Sequence, residues 1–240
     1  DKNILEYAGN IKSAGNMLLG LISDILDFSK IESGAIEIVN LEYDLLRLIK
    51  DEELLLNTRA SEKKISIHTD IDKELPSKLY GDELHIKQVV TNLISNAVKY
   101  TEAGSVTLRV YHKVIDENDI DLYFSVKDTG IGIKPEQREE LFDSFKRLEI
   151  EKNRNIQGTG LGLSIAKQLT ELMDGELTVE SEYGKGSEFT MRVRQKVADK
   201  TRIGVRDVSD DKMQPADNVK EKHFTAEEAR VLVVDDNKVN

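Results

Sequence analysis

Cysteine is absent from the 240 residues. No disulfide can staple this fold and no thiolate can hold a metal, which suits a reducing compartment. Tryptophan is also absent, and aromatic residues make up only 5% of the chain. No run approaches the roughly 18 apolar residues of a membrane span, and no signal peptide is visible. The chain is therefore expected to be cytoplasmic and to make no membrane contact, although a parent protein could be anchored. Nor is there a Lys/Arg stripe with interleaved aromatics, and the formal net charge is -11. Phosphate backbones select basic faces, so a nucleic-acid partner is not expected. What remains is a water-soluble composition, 39% hydrophobic and 33% charged, with room for one sizeable core plus appendages. The chain starts at Asp1 within a helical pattern and stops at Asn240 just after an apolar run. Both ends read as cuts in something longer.

Residues 3 to 31 carry heptads. Ile4, Ile11, Leu18 and Ile25 hold one core position, and Tyr7, Ala14, Leu21 and Phe28 follow three residues after each. Such a stripe suits a coiled-coil or four-helix-bundle seam that one helix cannot bury alone. The missing partner is a second chain, sequence upstream, or both; the competing reading is an amphipathic helix lying on the main domain. Gly34 predicts the helix stop and Ala35 to Val39 a short strand.

From Glu42 to about Ser61, Leu45, Leu48, Ile49, Leu55 and Leu56 recur at helical spacing, with Glu52 the exception, and Ile65 to Ile71 alternates like a strand. Pro76 reads as a break and Asp82 as the N-cap of a long helix reaching Tyr100. That helix has an apolar face of Ile86, Val89, Val90, Leu93, Ile94, Ala97 and Val98. Its other stripe, Gln88, Asn92, Asn96 and Lys99, falls at helical spacing. Solvated helix faces more often carry Glu and Lys than two Asn, which are poorer helix formers, so this stripe points to function.

Ser105 to Ile115 and Ile120 to Lys127 form a predicted hairpin, ending in Asp128-Thr129-Gly130-Ile131-Gly132-Ile133. A strand-end aspartate followed by two spaced glycines lets a carboxylate face a pocket while bare backbone comes close to a ligand. Pro135 begins a short helix that ends in Phe142-Asp143-Ser144-Phe145. Residues 146 to 157 read as a mobile loop. Gly158-Thr159-Gly160-Leu161-Gly162-Leu163 then turns into a helix ending near Met173. Two strands, Glu176 to Ser181 and Ser187 to Arg194, flank Gly184 and Gly186, whose simplest reading is a hairpin turn. A linker is expected from residue 197 to 228, followed by the buried-type strand and paired aspartates of Val231 to Asp236.

The glycine turn is not a P-loop, because no Lys-Ser/Thr follows its last glycine, and it does not sit on the first strand of a βαβ unit as a dinucleotide fingerprint would. His68, His85, His112 and His223 show neither metal spacing nor a nucleophile partner. Taken together, however, Asn92 to Thr101, Asp128 to Ile133, Phe142 to Phe145, Gly158 to Leu163 and Gly184 to Thr190 resemble, in order and spacing, the N, G1, F, G2 and G3 boxes of sensor histidine kinases. Ile25 to Glu32 resembles the end of that family's second dimerisation helix, and Val231 to Asn240 the start of a receiver domain, which suggests the hybrid type.

That resemblance implies an α+β fold: a two-layer α/β sandwich of the Bergerat type shared with gyrase-class ATPases, preceded by a long dimerisation helix. The implied division is residues 1–33 for that helix, 34–196 for the catalytic domain, 197–228 for the linker and 229–240 for the receiver strand. It implies ATP and Mg²⁺ as cofactors, with Asp128 accepting the adenine amino group, Asn96 as metal ligand, Lys99 against phosphate charge and Tyr100 near the sugar. The loop from Lys146 to Gly160 would be a lid. Gly158, Gly160 and Gly162 would let backbone N–H groups meet phosphate oxygens. Asn92, Gly130, Gly132, Ile133, Thr159, Leu161, Leu163 and Thr190 complete the implied nucleotide set. Where the related ATPases place a water-activating Glu, four residues before the metal-binding Asn, this chain has Asn92. Transfer to a protein is thus favoured over hydrolysis, with Gln88 or Asn92 at most orienting the acceptor. The family's acceptor histidine would lie before Asp1 and the receiver's aspartate after Asn240. Implied partners are a second copy through the N-terminal helix, and a response regulator or the protein's own receiver. A nucleotide-binding regulatory module without phosphotransfer is the alternative, and a gyrase-class ATPase is disfavoured by Asn92.

Overall fold

The structure, a computed structural model, describes residues 2–61, 63–138, 140–143 and 160–205. The heptad segment forms one helix, α1 (Lys2–Glu32). Along its seam Tyr7, Ile11, Leu18 and Ile25 stay exposed, whereas Phe28 and Ile31 lie half-buried against the core of the domain that follows. The end of the helix thus lies on the main domain, as one reading expects. Gly34, at φ +66°, ends α1; its N–H and that of Ala35 reach back to the carbonyls of Ile31 and Lys30.

The strand expected at Ala35 to Val39 does not form. Those residues run as irregular chain, and the Val39 N–H is taken by the Asp82 side chain rather than by a neighbouring strand. The strand comes two residues later, as β1 (Leu41–Asp44), and the helix expected from Glu42 starts after it, as α2 (Leu45–Ala60). Asp44 caps α2 by accepting from the Arg47 N–H. β2 (Lys64–Ile71) follows. Pro76 opens β3 (Pro76–Gly81) instead of breaking the chain. Proline is tolerated there because the first residue of a strand need not donate to the ladder.

Asp82 caps α3 (Glu83–Tyr100) through the His85 N–H, and every residue of the expected apolar face is buried. β4 (Ala103–Val114) and β5 (Asp119–Asp128) make the predicted hairpin. A 3-10 turn at Pro135–Gln137, α4 (Gly162–Leu172), β6 (Glu176–Glu182), β7 (Gly186–Arg202) and a second 3-10 turn at Ile203–Val205 follow. The sheet order is β1-β3-β7-β5-β4-β2, antiparallel throughout except for the β2–β4 pair. β7 is long enough to carry β6 and then β3 along one edge while β5 holds the other. It runs past the expected boundary at 196, pairing at Asp199 and Arg202 with β3. The stretch there is polar, like a linker, because only one edge is paired and little of it is buried.

Helices α2, α3 and α4 pack on one face of the sheet, over Val106, Leu108, Leu122, Phe124, Met191 and Val193. The other face is polar, with Tyr111 and Tyr123 stacked 4.7 Å apart and Arg109 paired with Asp70. This is the two-layer α/β sandwich the sequence led us to expect. Among the described residues, no helix is long and apolar enough to cross a membrane.

Candidate functional site

The polar stripe of α3 lies where its helical spacing put it. Gln88, Asn92, Asn96, Lys99 and Tyr100 are all half-buried. Gln88 is the outermost. Its side-chain amide donates to Asp27 of α1 at 2.9 Å, so this residue faces the N-terminal helix. At the other end the Lys99 ammonium sits 4.8 Å from the Tyr100 ring centre.

The C-terminal end of α3 is held by a residue that sequence reasoning passed over. The Lys63 ammonium donates to the carbonyls of Val98, Lys99 and Thr101 at 2.6, 3.2 and 3.2 Å, meeting the negative end of the helix dipole. Lys63→Met is expected to lower domain stability by about 1 kcal/mol, more at low salt. Denaturant unfolding at two salt concentrations checks this.

Asp128 ends β5 with its side chain buried, on the face covered by the helices. Its Oδ1 accepts from the Gly130 N–H at 2.8 Å and the Ser187 N–H at 3.3 Å, and among the described residues no donor reaches Oδ2. Burial pushes this carboxyl above its usual range, opposed by those two N–H groups. The glycines here are steric necessities. A Cβ on Gly130 would overlap the Tyr100 carbonyl, and one on Gly186 the Asp128 carbonyl. Gly132, at φ +67°, is packed as closely on Glu182. Ile131 donates to the Tyr100 carbonyl at 3.4 Å and Ile133 to Ser181 Oγ at 2.8 Å. Gly184 donates to the Ile131 carbonyl at 2.7 Å. The turn at 183–185 is therefore a hairpin, as expected, but one whose far side is the floor under Asp128.

Gly160, at φ +76°, leads into α4. Leu161 is fully buried and Leu163 half-buried in the core, so the turn is anchored through its leucines and presents the glycine backbone between them. Leu161, the N-cap, has no side-chain acceptor for the first N–H groups of α4. Gly162 lies against Asn92: a Cβ on it would stand 3.5 Å from Asn92 Oδ1. The α3 stripe and the glycine turn, 70 residues apart in sequence, thus meet.

Two expectations need correction. Thr190 pairs with Ser125 and shares with Glu188 and Ser125 the outer face of the sheet, away from the helices and from Asp128. Strand alternation assigns the site instead to Ser187, three residues earlier. Ile133 is buried in the core and contributes packing rather than an open surface. Ser144, Phe145, the expected lid from Lys146 to Gly160 except Gly160 itself, and with it Gly158 and Thr159, and the receiver strand lie outside the described residues. Of the four histidines, His85 bonds Asp82 and His112 bonds Asp72, and none lies on α1. Among the described residues no group of three or more His, Cys, Asp and Glu could hold a metal.

Comparison with known proteins bears on this arrangement. The family described as histidine kinase-, DNA gyrase B-, and HSP90-like ATPase matches residues 81–197. A hybrid signal transduction histidine kinase B of Dictyostelium discoideum is 39% identical over 193 residues, covering 80% of this chain and 10% of its own length. The sensor histidine kinase RcsC of Salmonella typhimurium is 40% identical over 196 residues, covering 80% of this chain and 20% of its own. The chain thus spans only a tenth to a fifth of these relatives. Among solved structures, full-length ShkA in complex with AMPPNP superposes with a TM-score of 0.68 at 34% identity, covering 81% of this chain and 39% of that one.

Proposed function

Residues 81–197 belong to the histidine kinase-, DNA gyrase B-, and HSP90-like ATPase family, and from that premise we propose that this chain is the ATP-binding catalytic part of a hybrid sensor histidine kinase. It transfers the γ-phosphoryl group of Mg-ATP to a histidine carried on another helix. The observation that supports this most directly is that the glycine turn meets Asn92 of α3 through Gly162, while the loop after Asp128 meets Tyr100 at the end of the same helix.

The residues suit such a ligand. Asp128 Oδ2 is the acceptor for the adenine amino group, with Oδ1 occupied by backbone donors. The N–H groups at the start of α4 and the positive end of its dipole receive phosphate oxygens. Lys99 adds positive charge and Asn96 a neutral oxygen ligand for Mg²⁺, which would offset phosphate charge when bound. Asn92, an amide where hydrolases need a base, holds and orients without abstracting a proton from water. Gln88, already in contact with α1, is placed to orient an incoming helix. Chemistry of this kind rests on positioning and charge stabilisation. The exposed seam of Tyr7, Ile11, Leu18 and Ile25 is the surface for a second copy, with a receiver domain as onward acceptor.

The test is transfer in trans. Mixed with [γ-³²P]ATP, Mg²⁺ and a separately made helix bearing the acceptor histidine, the chain should produce acid-labile, base-stable phosphohistidine, which Asn96→Ala should abolish. Nucleotide binding without transfer would leave a regulatory module, and steady phosphate release by the chain alone would point to an ATPase.

A further inference from the structure

Glu52 is the one charged residue on the buried face of α2, and it is 1% exposed. Both its oxygens lie against one hydroxyl: Thr91 Oγ1 of α3 donates into the carboxylate, at 3.1 Å from Oε1 and 3.2 Å from Oε2. One hydroxyl proton cannot satisfy two ionised oxygens. The other charges facing the group are Lys87 of α3, paired at 2.5 Å with Asp51 of α2, and Arg59 further along α2. α2 packs on β2 and β3, whose core-directed side chains, Ile65, Ile67 and Leu79 among them, are apolar. A bare carboxylate is thus poorly served here and a protonated one well served. Thr91 immediately precedes Asn92. The helix that places Asn92 and Asn96 in the site is therefore fastened to α2 through this buried contact.

We propose that Glu52 is a positioning residue for the nucleotide-facing side of α3, and that it holds its proton more firmly when nucleotide is bound. The inference rests on the nucleotide reading above. Nucleotide would bring negative charge to the face of α3 next to the one that carries Thr91, on a helix only about 10 Å across, and that charge disfavours a second negative charge at Glu52. Proton and nucleotide then bind cooperatively, and affinity falls as pH rises. The working range is physiological: burial pushes the Glu52 carboxyl up to about 7, with Asp51 adding to the rise and Thr91, Lys87 and Arg59 opposing it. Because the folded state holds this proton above the pH at which the unfolded chain releases it, stability too declines as pH rises from about 4.5 to about 7.

Calorimetric titration with Mg-AMPPNP at pH 6, 7 and 8, in two buffers of different ionisation heat, tests this. The wild-type chain should take up protons on binding at pH 7 and lose about threefold more affinity from pH 6 to pH 8 than Glu52→Gln, which should show no such uptake. Thr91→Val removes the donor that favours the ionised form, so it should move the midpoint of the pH dependence upward; a merely structural contact would lower affinity equally at every pH. If Glu52→Gln does not fold, the Thr91→Val shift alone decides. Identical proton uptake and pH profiles in all three chains overturn the inference while leaving the nucleotide site intact. Failure of the wild-type chain to bind at any pH overturns both.

Discussion

Asp128→Asn should weaken ATP binding at least 100-fold, roughly 3 kcal/mol, and leave the fold standing. The carboxylate and the amide have nearly the same shape, so the difference lies in what faces the base. Oδ1 is committed as an acceptor by the Gly130 and Ser187 N–H groups. An asparagine satisfying those donors must place its NH₂ where Oδ2 now stands, and an adenine amino group would then meet a donor instead of an acceptor. Sites built around one polar contact reject mismatched partners by such factors, because the buried groups on both sides are left unpaired. The fold should not suffer: burial already pushes the Asp128 carboxyl up, so removing its charge relieves a cost. Calorimetry with Mg-AMPPNP reads the affinity and a thermal melt reads the fold. Unchanged affinity in a folded variant would remove Asp128 from the site.

Gly186→Ala should do the opposite kind of damage, to stability and site together. Gly186 sits at φ +115°, a region L side chains rarely adopt, and a methyl there runs into the Asp128 carbonyl and the Thr129 backbone. Neither neighbour can swing aside as a flexible side chain would. The expected cost is about 3 kcal/mol, a fall in Tm of about 9 °C for a domain of this size, with nucleotide binding lost because Asp128 is displaced. Gly184→Ala is the control. It also has positive φ, at +86°, but open space around it, so only the conformational term of about 1 kcal/mol applies. Equal melting temperatures for the two variants would contradict the steric account.

Much of the catalytic domain was readable from pattern alone, for identifiable reasons. α3, the β4–β5 hairpin and α4 each combine a clear period with a cap or turn, and local signals agreed with the tertiary outcome. The failures occurred where tertiary pairing overrides local cues. β1 is four residues long and paired only with β3, too short to show alternation. β3 opens on a proline, and the end of β7 is polar because the sheet leaves much of it in water. For the proposed site, side-chain types at helical spacing single out Asn92, Asn96 and Lys99, and the strand end singles out Asp128. Thr190 was misassigned because placing it required the face of β7, which depends on register with β5. Ser187, Ser181 and Lys63 act through backbone groups or on them, and leave no mark in a pattern of chemical types. Glu52 did leave one, as the interruption in an apolar face.

The 17 residues of β7 carry a consequence for how the site opens. Its first half is bonded to β6 on one edge and β5 on the other, whereas past Lys196 β3 is its ladder partner on one edge. The first half cannot be peeled away without breaking both ladders at once. Its amides there should therefore be the last in the domain to exchange with deuterium, released only by global unfolding. The Ser187 N–H that fixes Asp128 belongs to that slow-exchanging unit, and the Gly160–Gly162 backbone does not. On the proposed reading, recognition of the base is thus tied to the most cooperative part of the molecule, and the phosphate end is not.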